Sequence, residues 1–289
     1  MTTITATTAP IATRATARSP SHPTWLTALL TLARRRLALN TRTPRELFIP
    51  LMTPVVFAVV IAPALADTVG GSLGGIDYMT FVAVSTIGLL IPLSCMLAGL
   101  GVVVDRLSGA RRDLVTAPLP RSLIVFGNLL PALILSGLQL VALLGAAALR
   151  GAKFDLRTTG LLWFAAAVTL FAVGMYGIAE TLANRIPTQE EYVGALPPIA
   201  IVPWFLAGSL FPISALPVGL TVVAKVLPLT HVLALLRYGL VDSGGSTLHD
   251  IWGMDNTTTM ATLSLAVVAV FALGFTAISI RVFTRTATQ

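Results

Sequence analysis

The chain has 289 residues, 55% of them hydrophobic and 11% charged, with 19 lysine and arginine residues against 12 acidic ones for a formal charge of +7; its mean hydropathy is +0.87. Soluble domains are about a quarter charged, so this composition excludes a water-soluble core and specifies an all-α protein with several membrane spans. The basic excess sits at the ends of apolar runs, where it sets orientation, and does not form the patch that nucleic acid requires.

Residues 1–24 are rich in Thr, Ala, Ser and Pro, carry Arg14 and Arg18, and lack the continuous apolar stretch of a secretory signal. They are expected to form a disordered cytoplasmic tail. An acid-free, arginine-bearing leader also fits an organellar transit peptide. However, arginine outnumbers lysine throughout, with only Lys153 and Lys225 present, which reads as a genome-wide bias and points to a bacterial cell membrane. Over 25–45 the spacing of Leu26, Leu29, Leu30, Ala33 and Leu37 predicts an amphipathic helix lying on the membrane. Arg35 points away from that stripe, Arg34 and Arg36 flank it, and Trp25 belongs at headgroup depth. A plain juxtamembrane anchor is the competing reading.

The region 46–285 forms the membrane domain. Six apolar runs, at 47–66, 78–104, 122–149, 160–182, 192–212 and 260–281, each have the length of about twenty residues that crosses a bilayer. Fourteen of the basic residues fall on one side of this arrangement. The other five are Arg150, Lys153, Arg157, Lys225 and Arg237, which predicts both termini in the cytoplasm.

Between the second and third runs, the segment 105–121 gathers Arg106, Arg111, Arg112 and Arg121 with Asp105 and Asp113. Leu107, Ala110, Leu114 and Ala117 follow a helical spacing that puts Arg106, Arg112 and Asp113 mostly on the other face. Pro118 and Pro120 end that short helix. From charge alone the segment reads as a cytoplasmic loop obeying the positive-inside rule.

The region 213–259 is too apolar for a solvated loop yet has no unbroken span. Two pieces of about a dozen residues meet at Pro228, the length of half-membrane helices. They predict an extracytoplasmic re-entrant hairpin, with Lys225 and Arg237 snorkelling to the headgroups. Two further full spans are the alternative, made costly by those two cations.

Several chemistries are disfavoured. Cys95 is the single cysteine, so there is no intrachain disulfide and no cysteine-based metal site. Lys153 and Lys225 each follow alanine, so no phosphate-binding Gly-Lys-Ser/Thr loop exists. The run interiors carry no Asp, Glu, His, Lys or Arg except Glu180 near an inner end, which argues against an ion-coupled secondary transporter. Glu190 and Glu191 superficially suit an intramembrane Glu-Glu-x-x-x-Arg protease. Ala195 stands where that motif needs arginine, and His22, His231 and His249 lie in the tail or on the opposite side of the membrane.

Three pieces resemble the permease subunits of ABC-2 type exporters, the family of daunorubicin-resistance-type and Nod-factor-type export permeases. The first is Asp105, Arg106, Gly109, Leu114, Pro118, Arg121 and Gly127. The second is GSLFPISALP at 208–217 followed by LPLTHVLALLRYGL at 227–240, and the third is the six-span order behind an amphipathic leader. The family usually opens the first piece with Glu and carries a further acid after its Gly, where this chain has Asp105 and Arg111–Arg112.

The resemblance implies export of a hydrophobic or amphipathic substrate, such as a drug, an antibiotic or a lipid, with a lipid-linked saccharide or envelope lipid as the alternative. It also implies a separate ATP-binding subunit that holds ATP and Mg, no cofactor on this chain, and a second permease copy or homologous permease. Docking to the ATPase is then expected through Arg106, Gly109, Arg111, Arg112, Asp113, Leu114, Pro118 and Arg121. Phe211, Pro212, Pro217, Lys225, Pro228 and Arg237 are expected to form the exit hairpin.

Overall fold

The computed structural model describes residues 25–41, 72–73, 76–110 and 120–286, with a few isolated positions between 52 and 116. The expected tail and most of the expected first span lie outside the described residues. What is described consists of helices and their connecting segments, apart from one two-residue antiparallel pairing, β1 (Ser72–Leu73) with β2 (Ile76–Asp77).

Helix α1 covers Trp25–Thr41. Helix α2, Tyr78–Leu107, starts where the Asp77 carboxylate accepts from the Thr80 amide at 3.0 Å and the Thr80 hydroxyl at 2.9 Å. It stops at Gly109, whose φ of +79° continues no helix. Helices α3 (Arg121–Leu149) and α4 (Thr158–Arg185) follow. The long uncharged runs thus become helices of 30, 29 and 28 residues, each longer than its apolar stretch by one to five residues.

The expected fifth span departs from a simple helix. Helix α5 (Gln189–Gly194) leads through a π-helical turn, Pro197–Ile201, into α6 (Val202–Leu206), and the chain turns away at Ala207 and Gly208, short of the expected 212. Pro197, Pro198 and Pro203 supply no amide hydrogen, so the regular ladder cannot be kept through this stretch. Helices α7 (Val218–Val226) and α8 (Pro228–Leu240) meet at an 80° bend, with Pro228 opening α8. A short α9 (Ser246–Trp252) and the last long helix α10 (Thr257–Thr286) complete the fold. Four helices, α2, α3, α4 and α10, are long and apolar enough to cross a membrane, and the bent α7–α8 pair is a fifth candidate.

In lipid the apolar effect does not drive helices together, so close packing must. Gly174 and Gly177 of α4 let α10 approach until its backbone at Ala272 and Phe275 touches them. Because 174 meets 272 and 177 meets 275, the two helices run parallel and end on the same side. Gly160 of α4 and Gly239 of α8 meet backbone to backbone in the same way. Helix α8 is buried on nearly every side, between α2, α4 and α10. It is a core element of the bundle, around which one continuous apolar cluster forms.

Candidate functional site

One end of the bundle collects the C-terminal ends of α2, α4 and α10, the start of α3, and α1. The Asp105 carboxylate, in the last turns of α2, accepts from Arg36 Nη1 at 2.8 Å and lies 3.7 Å from Arg35. Beside it, Arg106 crosses to α4 and donates to the carbonyls of Ile186 and, at 3.1 Å, Pro187. Arg106 was expected on the exposed face of the loop helix. It instead fastens α2 to α4, because α2 continues to Leu107 before Gly109 breaks it.

Helix α1 is rotated relative to the expected stripe. Leu26 and Leu30 are about half exposed, whereas Ala28, Ala33 and Arg36 are buried. Two glycines decide this register. Gly127 of α3 admits Leu32, and Gly101 of α2 leaves the space that the Arg36 guanidinium fills. Arg36 is therefore paired inside the protein, while Arg34 stays exposed and Trp25 is 68% exposed at the other end of the helix. Of the remaining loop residues, Gly109 takes the left-handed turn, and Arg121 opens α3. Arg111, Arg112, Asp113, Leu114 and Pro118 lie outside the described residues.

Two buried polar groups at this end were not singled out as site residues. Glu180, fully buried on α4, accepts from the Tyr176 hydroxyl at 2.7 Å and from Asn184 Nδ2 at 3.2 Å. The Tyr192 hydroxyl, also fully buried, donates to the Met96 carbonyl at 2.9 Å and lies 3.3 Å from that of Ala179, in space that Gly99 leaves open. The usable signal for Glu180 was an acid inside an apolar run. Tyr192 gave none, since tyrosine at the start of a span is ordinary.

At the opposite end Arg237 corrects the expectation of snorkelling. Its residue is 3% exposed, Nη2 donates to Ser85 Oγ at 2.5 Å and to the Gly208 carbonyl at 2.7 Å, and the guanidinium sits 3.6 Å from the Phe81 ring centroid. A hydroxyl, a carbonyl and a π face together satisfy a cation that no carboxylate approaches within 4 Å among the described residues. Trp204 Nε1 donates to the Ser85 carbonyl at 2.9 Å, so α2, α6 and α8 share one polar knot. Lys225 is exposed, as are Phe211 and Pro217, while Pro212 and Pro228 are half-buried.

The bend between α7 and α8 is held by His231, whose ring nitrogens contact the Lys225 carbonyl at 3.0 Å and Ser264 Oγ at 3.2 Å. Trp252 Nε1 donates to the same hydroxyl at 2.9 Å. The Lys225 carbonyl can only accept, which assigns the ring proton to Nε2 and leaves Nδ1 to accept from Ser264.

Residues 27–241 match the family described as ABC-2 type transporter. No curated protein matches the chain. The match runs from α1 through α8 and so includes both ends of the bundle described above.

Proposed function

Because the chain belongs to the ABC-2 type transporter family, and is therefore the permease component that works with a separate ATP-binding subunit, we propose that it exports a hydrophobic or amphipathic cargo from the cytoplasm or inner leaflet. The observation that carries this reading is the braced end of the bundle. There α1, α2 and α4 are tied together by Arg36, Asp105 and Arg106 just where the chain leaves for the basic segment 105–121. A segment that is to receive force from an ATPase must emerge from rigid supports, and these contacts supply them. In this reading that end faces the cytoplasm, together with both termini of a bacterial cell-membrane protein. Two permease copies, or one and a homologue, form the pathway between them, and α7–α8 lies at the exit.

An apolar cargo suits the bundle. Large exposed aliphatic and aromatic side chains line α3, α6, α7 and α10, such as Val141, Phe205, Val222 and Leu273. The test uses inside-out vesicles holding the chain and its ATP-binding subunit, with a fluorescent anthracycline and an NBD-labelled phospholipid as probes. Uptake of either probe that needs Mg-ATP and survives collapse of the proton gradient supports ATP-driven export. Uptake driven by a proton gradient without ATP overturns it in favour of an ion-coupled transporter. Movement of the phospholipid alone would assign the cargo to envelope lipids.

A further inference from the structure

Thr230, Ala234 and Arg237 fall on one face of α8, at the i, i+4, i+7 spacing of a helix. That face closes one side of a small cavity of about 10 Å³, whose other walls include Ile213 and, from α9, Thr247, Asp250 and Ile251. Three polar atoms of the lining side chains are buried without a protein partner: Thr230 Oγ1, Arg237 Nε and Thr247 Oγ1. Their residues are 3%, 3% and 9% exposed. Buried polar atoms of folded proteins are nearly always hydrogen-bonded, and three unpaired ones around one space call for a shared partner.

We propose that this cavity is a binding site for a single water molecule that joins α8, α9 and the turn after α6. Size and chemistry select the ligand together. The volume holds about one water-sized probe, which excludes any larger molecule. Arg237 Nε can only donate, so the ligand must accept. The Asp250 carboxylate can only accept when ionised, so the ligand must also donate. A halide would face Asp250, and a metal ion would face the Arg237 guanidinium. Water satisfies both walls and the two threonine hydroxyls. It also completes the shell of Arg237, whose Nη2 is already engaged by Ser85 and Gly208. The buried cation is thus hydrated at Nε, and the water adds a polar bridge between α8 and α9, which also pack directly against each other.

Radiolytic hydroxyl labelling of the full chain in lipid nanodiscs tests this, because water bound beside a buried side chain generates the radical in place. Ile213 and Ile251, 5% and 7% exposed, line the cavity, and Leu235, at 0%, does not. The expected result is labelling of Ile213 and Ile251 severalfold faster than Leu235, falling toward the Leu235 rate in T230V/T247V. The single variant T247V serves where the double variant does not fold. Labelling of the two isoleucines no faster than Leu235 in the unmodified chain would show a dry cavity and overturn the proposal. So would fast labelling that persists unchanged in the variants, which would trace the solvent to the bulk.

Discussion

Arg36 of α1 and Asp105 of α2 meet at 2.8 Å although 69 residues separate them, with side chains only 8% and 14% exposed. The pair fixes α1 against the bundle at the point where α2 gives way to the basic segment.

Removing one member of such a pair leaves the other buried and uncompensated. Asp105→Asn should therefore cost about 3 kcal/mol, whereas an apolar replacement of both, R36M/D105L, should recover most of that. Thermal unfolding in nanodiscs measures both variants. Equal losses in D105N and the double variant would mean that the pair does not hold α1.

Glycine substitutions separate packing from helix propensity. At Gly177 a methyl group would meet the backbone of Phe275 at 2.7 Å, so Gly177→Ala should push α4 from α10 and cost about 1–3 kcal/mol. At Gly145 of α3 nothing lies within 4 Å, so Gly145→Ala should be neutral or stabilise by up to about 1 kcal/mol. A similar midpoint shift for both would contradict the close α4–α10 contact.

Arg237→Lys should fail to replace Arg237. One ammonium cannot reach Ser85 and Gly208 while lying flat on Phe81. We expect R237K to unfold at a temperature close to that of R237M and well below the unmodified chain. Full retention of stability in R237K would reduce the site to a point charge.

The sequence made the long helices legible because uncharged runs of span length have few other fates in this composition. The break at Pro228 was legible because the breaking chemistry of proline is local, whereas the Asp77 cap and the left-handed Gly109 emerged only with the structure. What it could not convey were pairings across long separations. Arg237 read as a cost to be moved to the surface until Ser85, 152 residues away, supplied an acceptor. The rotation of α1 depended on Gly101 and Gly127, which are silent until the helices are assembled. The π turn in the fifth span was hinted at by three prolines, but its geometry depends on what the freed carbonyls find.

Glu180 distinguishes the two modes of energy input. It is fully buried and already accepts from Tyr176 and Asn184, so in this account it has a structural role. Glu180→Gln should leave ATP-driven transport within about twofold, since the amide oxygen can still accept from Asn184 and the Tyr176 hydroxyl can reverse to accept from the new NH2. Loss of transport together with loss of a proton-gradient dependence would instead assign it to ion coupling.

The most direct measurement asks which end of the bundle meets the ATP-binding subunit. Cys95 is the single cysteine in the chain and is buried, so an engineered thiol reports alone. Ser108→Cys lies at the braced end beside Gly109, and Val218→Cys, at a site 83% exposed, lies at the other. A short thiol-to-amine cross-linker applied to the assembled complex should join S108C to the ATP-binding subunit and leave V218C unlinked. Cross-linking from V218C with none from S108C would contradict the assignment of the coupling end.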